Sequence, residues 1–323
     1  MKVFPTRDHS SLRGLRNTGG AALAGALLLS LSACGGGEEG STGAASSSGA
    51  ATVDQSLRDQ LPEEIQSKGS LVIAGSFDNP PVIYSSESDA TKPAGIAADL
   101  SAEIGERLGL DVEWRNTPFP GQLPGIDSGA FDIVWGQATQ TEEREAQLYD
   151  MIPYYAAPLS VLVEEGNPSG VTSFATMCGA TVGGSVGSIF ESYVEQANTQ
   201  FCAGKSPIVY QGYTKGEEVA LHSGAIDLVI DTLPVNSDAA SRLEGVEAIK
   251  LSDAETIDSG LSGMVFSKDE PGLSTTVAEV LQQLHEDGTY QQILEDEGAS
   301  VAVLDADQLV VNYLTGTPAG EKQ

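Results

Sequence analysis

The chain reads as an α/β protein made of two similar lobes, and three observations carry that expectation: a repeated phrase, a fainter echo and the length. Residues 128–135 read SGAFDIVW and residues 223–230, ninety-five positions later, read SGAIDLVI. In each copy a Gly stops a helix, a short turn follows, and an Asp opens an apolar run too continuous for a half-exposed strand. Both runs therefore read as buried parallel strands. The echo opens each half, with LVIAGS at residues 71–76 and ATVGGS at residues 180–185. A chain of 323 residues also exceeds what one core takes, and two lobes of roughly 100 residues each fit the size scaling of domains. Matching lobes enclose a cleft, and clefts at such interfaces are where small molecules bind, which favours binding over a filament or scaffold.

The elements follow in order. Lys2, Arg7, Arg13 and Arg16 precede an apolar run at residues 21–31, the layout of an export signal over residues 1–33. About a dozen apolar residues cannot span a bilayer. The run ends Ser32-Ala33-Cys34 before three glycines and resembles the lipobox of bacterial lipoproteins. There the Cys34 thiol takes a diacylglyceryl group, and two acyl chains give the stable anchoring that one cannot; the alternative is a plain secretory signal with a free Cys nearby. Residues 34–53 then form a lipidated Cys and a Gly/Ser tether whose reach is roughly 20 to 25 Å. The first lobe, 54–159 plus 260–300, begins with a strand at 71–75. A helix follows with Leu100, Ile104 and Leu108 at four-residue spacing, then an alternating strand with Val112 and Trp114. A strand at 159–163 crosses to the second lobe, 160–259. The chain returns at 260–268, because the next helix, with Val277, Val280, Leu281 and Leu284, needs the first lobe's apolar surface. Residues 301–323 are an extension with a strand-like run at 309–314 and a loose end.

Charge excludes several partners. The formal balance is −30, and removal of the basic first 33 residues makes it more negative. Nucleic acid and adhesion of the folded surface to an anionic membrane are excluded on electrostatic grounds. Most acids stand in helices and loops as solvated faces. Cys178 and Cys202, the only cysteines besides Cys34, are expected to pair in an oxidising compartment, closing a loop whose cross-link stabilises by about 3 to 4 kcal/mol. His9 lies in the signal, and His222 and His285 sit in helical patterns without partners at ligand spacing, so no metal or other cofactor is expected.

An ordered series runs from LVIAG and Asp78-Asn79-Pro80-Pro81 through GIAADLSAEIGERLGL, Pro118-Phe119, SGAFDIV, Thr141-Glu142-Glu143-Arg144 and Pro153-Tyr154. It continues with CGATVGGSVGS, SGAIDLVI and HEDGTYQQIL. Over about residues 71–298 the chain resembles the family 3 extracellular solute-binding proteins that serve amino-acid ABC importers. The resemblance implies a two-lobed periplasmic-binding-protein type II fold whose parallel-sheet lobes are joined by a two-segment hinge. It also implies a monomer, lipid-anchored on the extracytoplasmic face of the cell membrane through Cys34. Such a protein captures a small polar solute, an amino acid, and delivers it to an ABC permease without catalysis.

The resemblance also implies the site. Arg144 falls where the family places its ligand-carboxylate arginine, and a guanidinium fork on a carboxylate contributes roughly 1.5 to 3 kcal/mol in a partly desolvated site. Without the family, an ion pair of Arg144 with Glu142 or Glu145 on a helix surface is the ordinary reading. Thr139 and Gln137 precede it and could supply hydroxyl and amide contacts. Phe119 stands where the family sets an aromatic against the ligand, or is a packing residue. Ser188 in GGSVGS matches a turn at a helix start whose free N–H groups suit an anion, though a routine N-cap looks identical. The ammonium site departs from the pattern. The family's Asp stands five residues after the strand-opening Asp, but here Asp227 is followed five later by Thr232, with Asp231 one residue early. A one-residue slip turns a strand side chain to the other face, so either the strand end is irregular and Asp231 still faces the cleft, or Thr232 faces it, the site lacks its carboxylate and the ligand is not an ordinary amino acid. The alternatives of another class are an enzyme on the same fold, such as a dehydratase, or a ligand-sensing module. An enzyme needs a proton donor or base in the cleft, for which Glu191 or Asp231 are the candidates.

Overall fold

The computed structural model describes residues 53–323, so the export signal, Cys34 and all of the tether except Val53 lie outside the described residues. Helices α1 (Gln55–Arg58) and α2 (Glu63–Lys68) lead into β1 (Ser70–Gly75), followed by a small meander of β2 (Asp78–Asn79), β3 (Ile83–Ser85) and β4 (Pro93–Ala94). Then come α3 (Ile96–Leu108), β5 (Asp111–Asn116), α4 (Phe119–Asp127), β6 (Ile133–Thr139) and β7 (Tyr149–Ala156). The chain continues with β8 (Leu159–Glu164), β9 (Thr181–Ser185), α5 (Phe190–Phe201), β10 (Val209–Tyr213) and α6 (Glu217–His222). It closes through β11 (Leu228–Thr232), α7 (Leu233–Arg242), β12 (Val246–Lys250), β13 (Leu261–Ser267), α8 (Pro271–Glu286) and α9 (Thr289–Asp296).

Two five-stranded sheets result, ordered β5-β1-β6-β13-β7 and β10-β9-β11-β8-β12. The repeat strands β6 and β11 hold the central place in their sheets. Each is parallel to its neighbour on one side, β1 or β9, and antiparallel to β13 or β8 on the other. Purely parallel pairing was expected from the apolar runs. The reversed neighbour in each sheet is a strand that has just crossed from the other lobe. The crossings are Ala157-Pro158 and the segment 251–260, and Ala157 N–H donates to Gly260 O at 2.7 Å to tie them side by side.

The central strands β6 and β11 are buried on both faces, which explains their uninterrupted apolar runs. Ile133 and Trp135 of β6 join the larger first-lobe core with α3 and α8, while Val134 faces Ile126 of α4. In β11, Leu228 and Ile230 join one second-lobe core and Val229 the other. The glycines that stop the preceding helices, Gly129 and Gly224, have φ of 68° and 70°, a left-handed conformation that costs other residues dearly. The opening Asp has the same task in both copies. Asp132 Oδ2 accepts Val72 N–H at 2.6 Å, and Asp227 Oδ2 accepts Thr181 N–H at 2.7 Å, latching each repeat strand in register beside its parallel neighbour. Cys178 and Cys202 form a disulfide that ties the start of β9's loop to the end of α5.

The extension differs from expectation. Residues 309–314 form turns, not a strand, and the end is packed instead of loose: Leu309, Asn312 and Thr317 are buried. Asn312 N–H donates to Met151 O at 2.7 Å and its Oδ1 accepts Met151 N–H at 3.0 Å, so it caps the edge strand β7. Asp150 on the same strand is buried and receives Lys268 Nζ at 3.1 Å, Ser274 Oγ at 3.1 Å, Asn312 Nδ2 at 3.0 Å and Gly320 N–H at 2.9 Å. The apolar alternation at 309–314 serves to pack against the first-lobe core, through Leu309, Val311 and Leu314.

Candidate functional site

A cavity of about 610 Å³ lies between the two sheets and takes its walls from both lobes. The first lobe contributes Asp78 and Asn79 of β2, Phe119 at the start of α4, Gln137 and Thr139 of β6, and Arg144. The second contributes the β9–α5 turn with Ser188, Tyr213 at the end of β10, Lys215 of the loop that follows, and Glu217 and Glu218 at the start of α6. Five of the expected site residues therefore meet: Arg144, Thr139, Gln137, Phe119 and Ser188.

Local structure aims each of them. β6 outlasts its apolar run and carries Gln137 and Thr139 to the cavity edge. The chain then turns through Thr141, whose hydroxyl accepts Arg144 N–H at 3.2 Å, into a π-helical turn at Arg144–Leu148. Such wide turns cluster at functional sites because they re-aim side chains. Arg144 Nη1 donates to Thr139 O at 2.5 Å, which fixes one end of the fork. Among the described residues no carboxylate forms an ion pair with Arg144. Glu145, one of the two partners considered for it, is buried and occupied elsewhere, receiving Gln140 Nε2, Leu314 N–H and Thr315 N–H. Burial holds the Arg144 guanidinium below its ordinary pKa, against the opposing pull of Tyr193, Tyr149 and Glu143. Arg144 is half-buried; a partly desolvated cation without a counter-ion is costly, and an anion in the cavity relieves that cost. Gln137 Nε2 is likewise buried without a partner, a free donor in the same wall. Ser188 is tied down just before the start of α5: its hydroxyl donates to Ser185 O at 2.7 Å and accepts Phe190 N–H at 3.4 Å.

Asp231 and Thr232 are not brought into the lining, contrary to the expectation that one of them faces the cleft. Both lie inside the second sheet, paired with Ser160 and Leu159 of β8, and Thr232 N–H donates to Asp231 Oδ1 at 2.6 Å. Burial pushes Asp231 up to about 7, with Glu217 adding to the rise. The carboxylates that do line the second-lobe wall, Glu217 and Glu218, carry no sequence signal, since acids in a helix's first turn are ordinary. Asp78 belonged to a quoted motif without a role and now faces Lys215 Nζ across the cavity mouth at 3.7 Å. Among the described residues no cluster of three or more His, Cys, Asp or Glu could hold a metal ion, and no helix is long and apolar enough to cross a membrane.

Comparisons with known proteins agree with this fold. Residues 71–297 match the model of the bacterial extracellular solute-binding proteins, family 3. The L-cystine-binding protein TcyJ of Escherichia coli (strain K12) is 26% identical over 245 residues, covering 73% of this chain and 85% of that protein. Among solved structures, the substrate-binding protein AbpA of an amino acid ABC transporter from Streptococcus pneumoniae, bound to L-arginine, superposes with a TM-score of 0.65 at 26% identity, covering 74% of this chain and 99% of that one. An ancestral arginine-binding protein bound to glutamine gives 0.62 at 26%, covering 72% and 98%.

Proposed function

The chain belongs to the bacterial extracellular solute-binding proteins of family 3, and from that premise we propose that it captures an amino acid between its lobes and hands it to an ABC permease. The observation that carries this reading is the half-buried guanidinium of Arg144, without an ion-pair partner among the described residues in a cavity walled by both lobes. The ligand's α-carboxylate docks on the free face of the Arg144 fork, with Gln137 Nε2 and Thr139 beside it. Phe119 packs on the ligand's carbon skeleton. The β9–α5 turn at Ser188 closes over it from the second lobe.

Each lobe offers half of the contacts, so a ligand touching both stabilises the closed arrangement, and the open one has less to offer it. The segments 156–159 and 251–260 are the two strands of the hinge between lobes 54–159 plus 260–300 and 160–259. The permease reads closure. Nothing in this cycle requires turnover, and the protein is proposed as a monomeric carrier. It is held outside the cell membrane by acyl chains on Cys34, with residues 35–53 as its tether. Names of relatives support this assignment: an L-cystine-binding protein and an arginine-bound transporter protein.

The test is Arg144→Ala with calorimetric titration of L-arginine, L-glutamine and L-cystine. The variant is expected to lose at least 10- to 100-fold in affinity for whichever amino acid the protein binds, while its unfolding midpoint holds or rises. Unchanged affinity removes the site assignment.

A further inference from the structure

Glu145 is a buried carboxylate that the binding scheme leaves without a task. It follows Arg144 directly in the π-helical turn at Arg144–Leu148, is fully buried, and is no part of the cavity lining. A carboxylate taken out of water is costly unless donors meet it. Three do: Gln140 Nε2, Leu314 N–H at 3.2 Å and Thr315 N–H at 2.8 Å. None of these donors is charged, and among the described residues no cation forms an ion pair with Glu145. Two of them belong to the C-terminal extension, which lies beyond the stretch that matches the family model, residues 71–297.

The turn needs such an anchor. A single helical turn fixes many dihedrals for few hydrogen bonds and is unfavourable by itself, so tertiary contacts decide where it sits. Its own closing bond runs from Tyr149 N–H to Arg144 O. The extension holds it at two further points, through the Glu145 carboxylate and through Gln323 N–H, which donates to Ala146 O at 2.9 Å. Gln140 holds it from the other side. Its N–H donates to Leu261 O at 3.1 Å and its carbonyl accepts Ser259 Oγ at 2.7 Å, so its side-chain amide ties Glu145 to the end of the return crossing and the start of β13. A bidentate fork serves a carboxylate only while it is held within about 0.5 Å of the productive geometry. The backbone of Arg144 is one peptide unit from this anchor.

We propose that Glu145 is the positioning residue of the site: gripped by Leu314 and Thr315 of the extension and by Gln140, it fixes the turn from which the Arg144 guanidinium reaches the ligand's carboxylate. This rests on the amino-acid reading above. Glu145 touches no ligand, and its contribution passes through the backbone to its neighbour. The extension thereby serves binding as well as covering β7.

The test compares each of L-arginine, L-glutamine and L-cystine with its α-carboxamide, the diamide for cystine, by calorimetric titration of the full protein. The ratio of the two affinities measures the grip of the guanidinium on the carboxylate, which general loosening of the fold leaves alone. Wild type is expected to prefer the acid by about 10-fold or more. Glu145→Ala, titrated at a temperature where its unfolding curve shows it folded, is expected to bring that preference to within about threefold of parity. Glu145→Gln keeps one acceptor oxygen and is expected to fall between the two; should the Ala variant not fold, the Gln variant decides alone. If the variants weaken acid and amide in equal proportion, or weaken neither, Glu145 serves the fold only, the positioning role falls and the amino-acid reading stands. If wild type binds acid and amide alike, Arg144 does not hold the carboxylate, and the site assignment falls together with the positioning role. If none of these amino acids binds wild type, the amino-acid reading itself falls and the role of Glu145 with it.

Discussion

The two copies of the repeated phrase begin alike and end differently. Both open with an Asp that receives a backbone N–H of the parallel neighbour, and both bury apolar side chains on two faces. In the first lobe the strand runs on to Thr139 and delivers Gln137, Thr139 and then Arg144 to the cavity. In the second it stops at Thr232, where Pro234 sits in the first turn of α7, and its last polar residues stay inside the sheet. The second wall is instead furnished by the β9–α5 and β10–α6 loops. Duplication therefore explains the scaffold and not the chemistry: the phrase is a register device, and each lobe recruits its polar groups from whatever follows or flanks it.

The edge strands sharpen that contrast, and the largest expected effect lies there. β7 and β12 occupy the same end of their sheets, yet β7 is almost wholly buried while β12 is mostly half-exposed. The difference is the C-terminal extension, which covers β7 and bonds Asp150. Asp150→Ala strands the buried Lys268 ammonium and is expected to cost about 3 to 5 kcal/mol, read from urea midpoints. A loss below about 1 kcal/mol would mean that the extension rests on lobe one without bracing it.

Next in size are the register latches. Asp132→Ala and Asp227→Ala each remove a charge-assisted bond to a strand N–H and are expected to cost about 1.5 to 3 kcal/mol. Asp132 should be the costlier by up to about 1 kcal/mol, because it also receives Lys68 Nζ at 2.7 Å from a partly exposed position. Equal and negligible losses would mean that the shared Asp has some task other than register.

What could be read in the sequence was whatever local pattern encodes. The repeat and the helix with Leu100, Ile104 and Leu108 declare themselves by periodicity and by punctuation at Gly, and the return crossing by the apolar surface that the helix after it needs. Arg144, Gln137 and Thr139 were legible because they follow a strand whose end could be located. Glu217 was not, because its place in the cavity wall is a property of the fold: the first-lobe residues it shares that wall with, from Asp78 to Arg144, lie far upstream. The extension was misread for the same reason. Its apolar alternation resembles a strand, but its partners, Met151 and Asp150, lie some 160 residues upstream, and no local window contains them. Asp231 failed by one position, the smallest step that moves a side chain from one face of a strand to the other.

That residue supports the smallest prediction and the most direct check on the asymmetry between strand ends. Asp231 keeps its proton in the folded protein up to about pH 7, whereas in the unfolded chain it loses it near its ordinary value of 3.8. Between those limits the folded state binds more protons, so stability falls as pH rises through that window and is level above it. The slope from one such group is at most about 1.4 kcal/mol per pH unit. Asp231→Asn removes the contribution. Its stability relative to wild type is therefore expected to improve progressively between pH 4.5 and 7.5, measured by urea unfolding, with amino-acid affinity at pH 7.5 unchanged. If the relative stability does not move with pH while the affinity collapses, then Asp231 is solvated and faces the ligand, and the second strand end serves the site as the first one does.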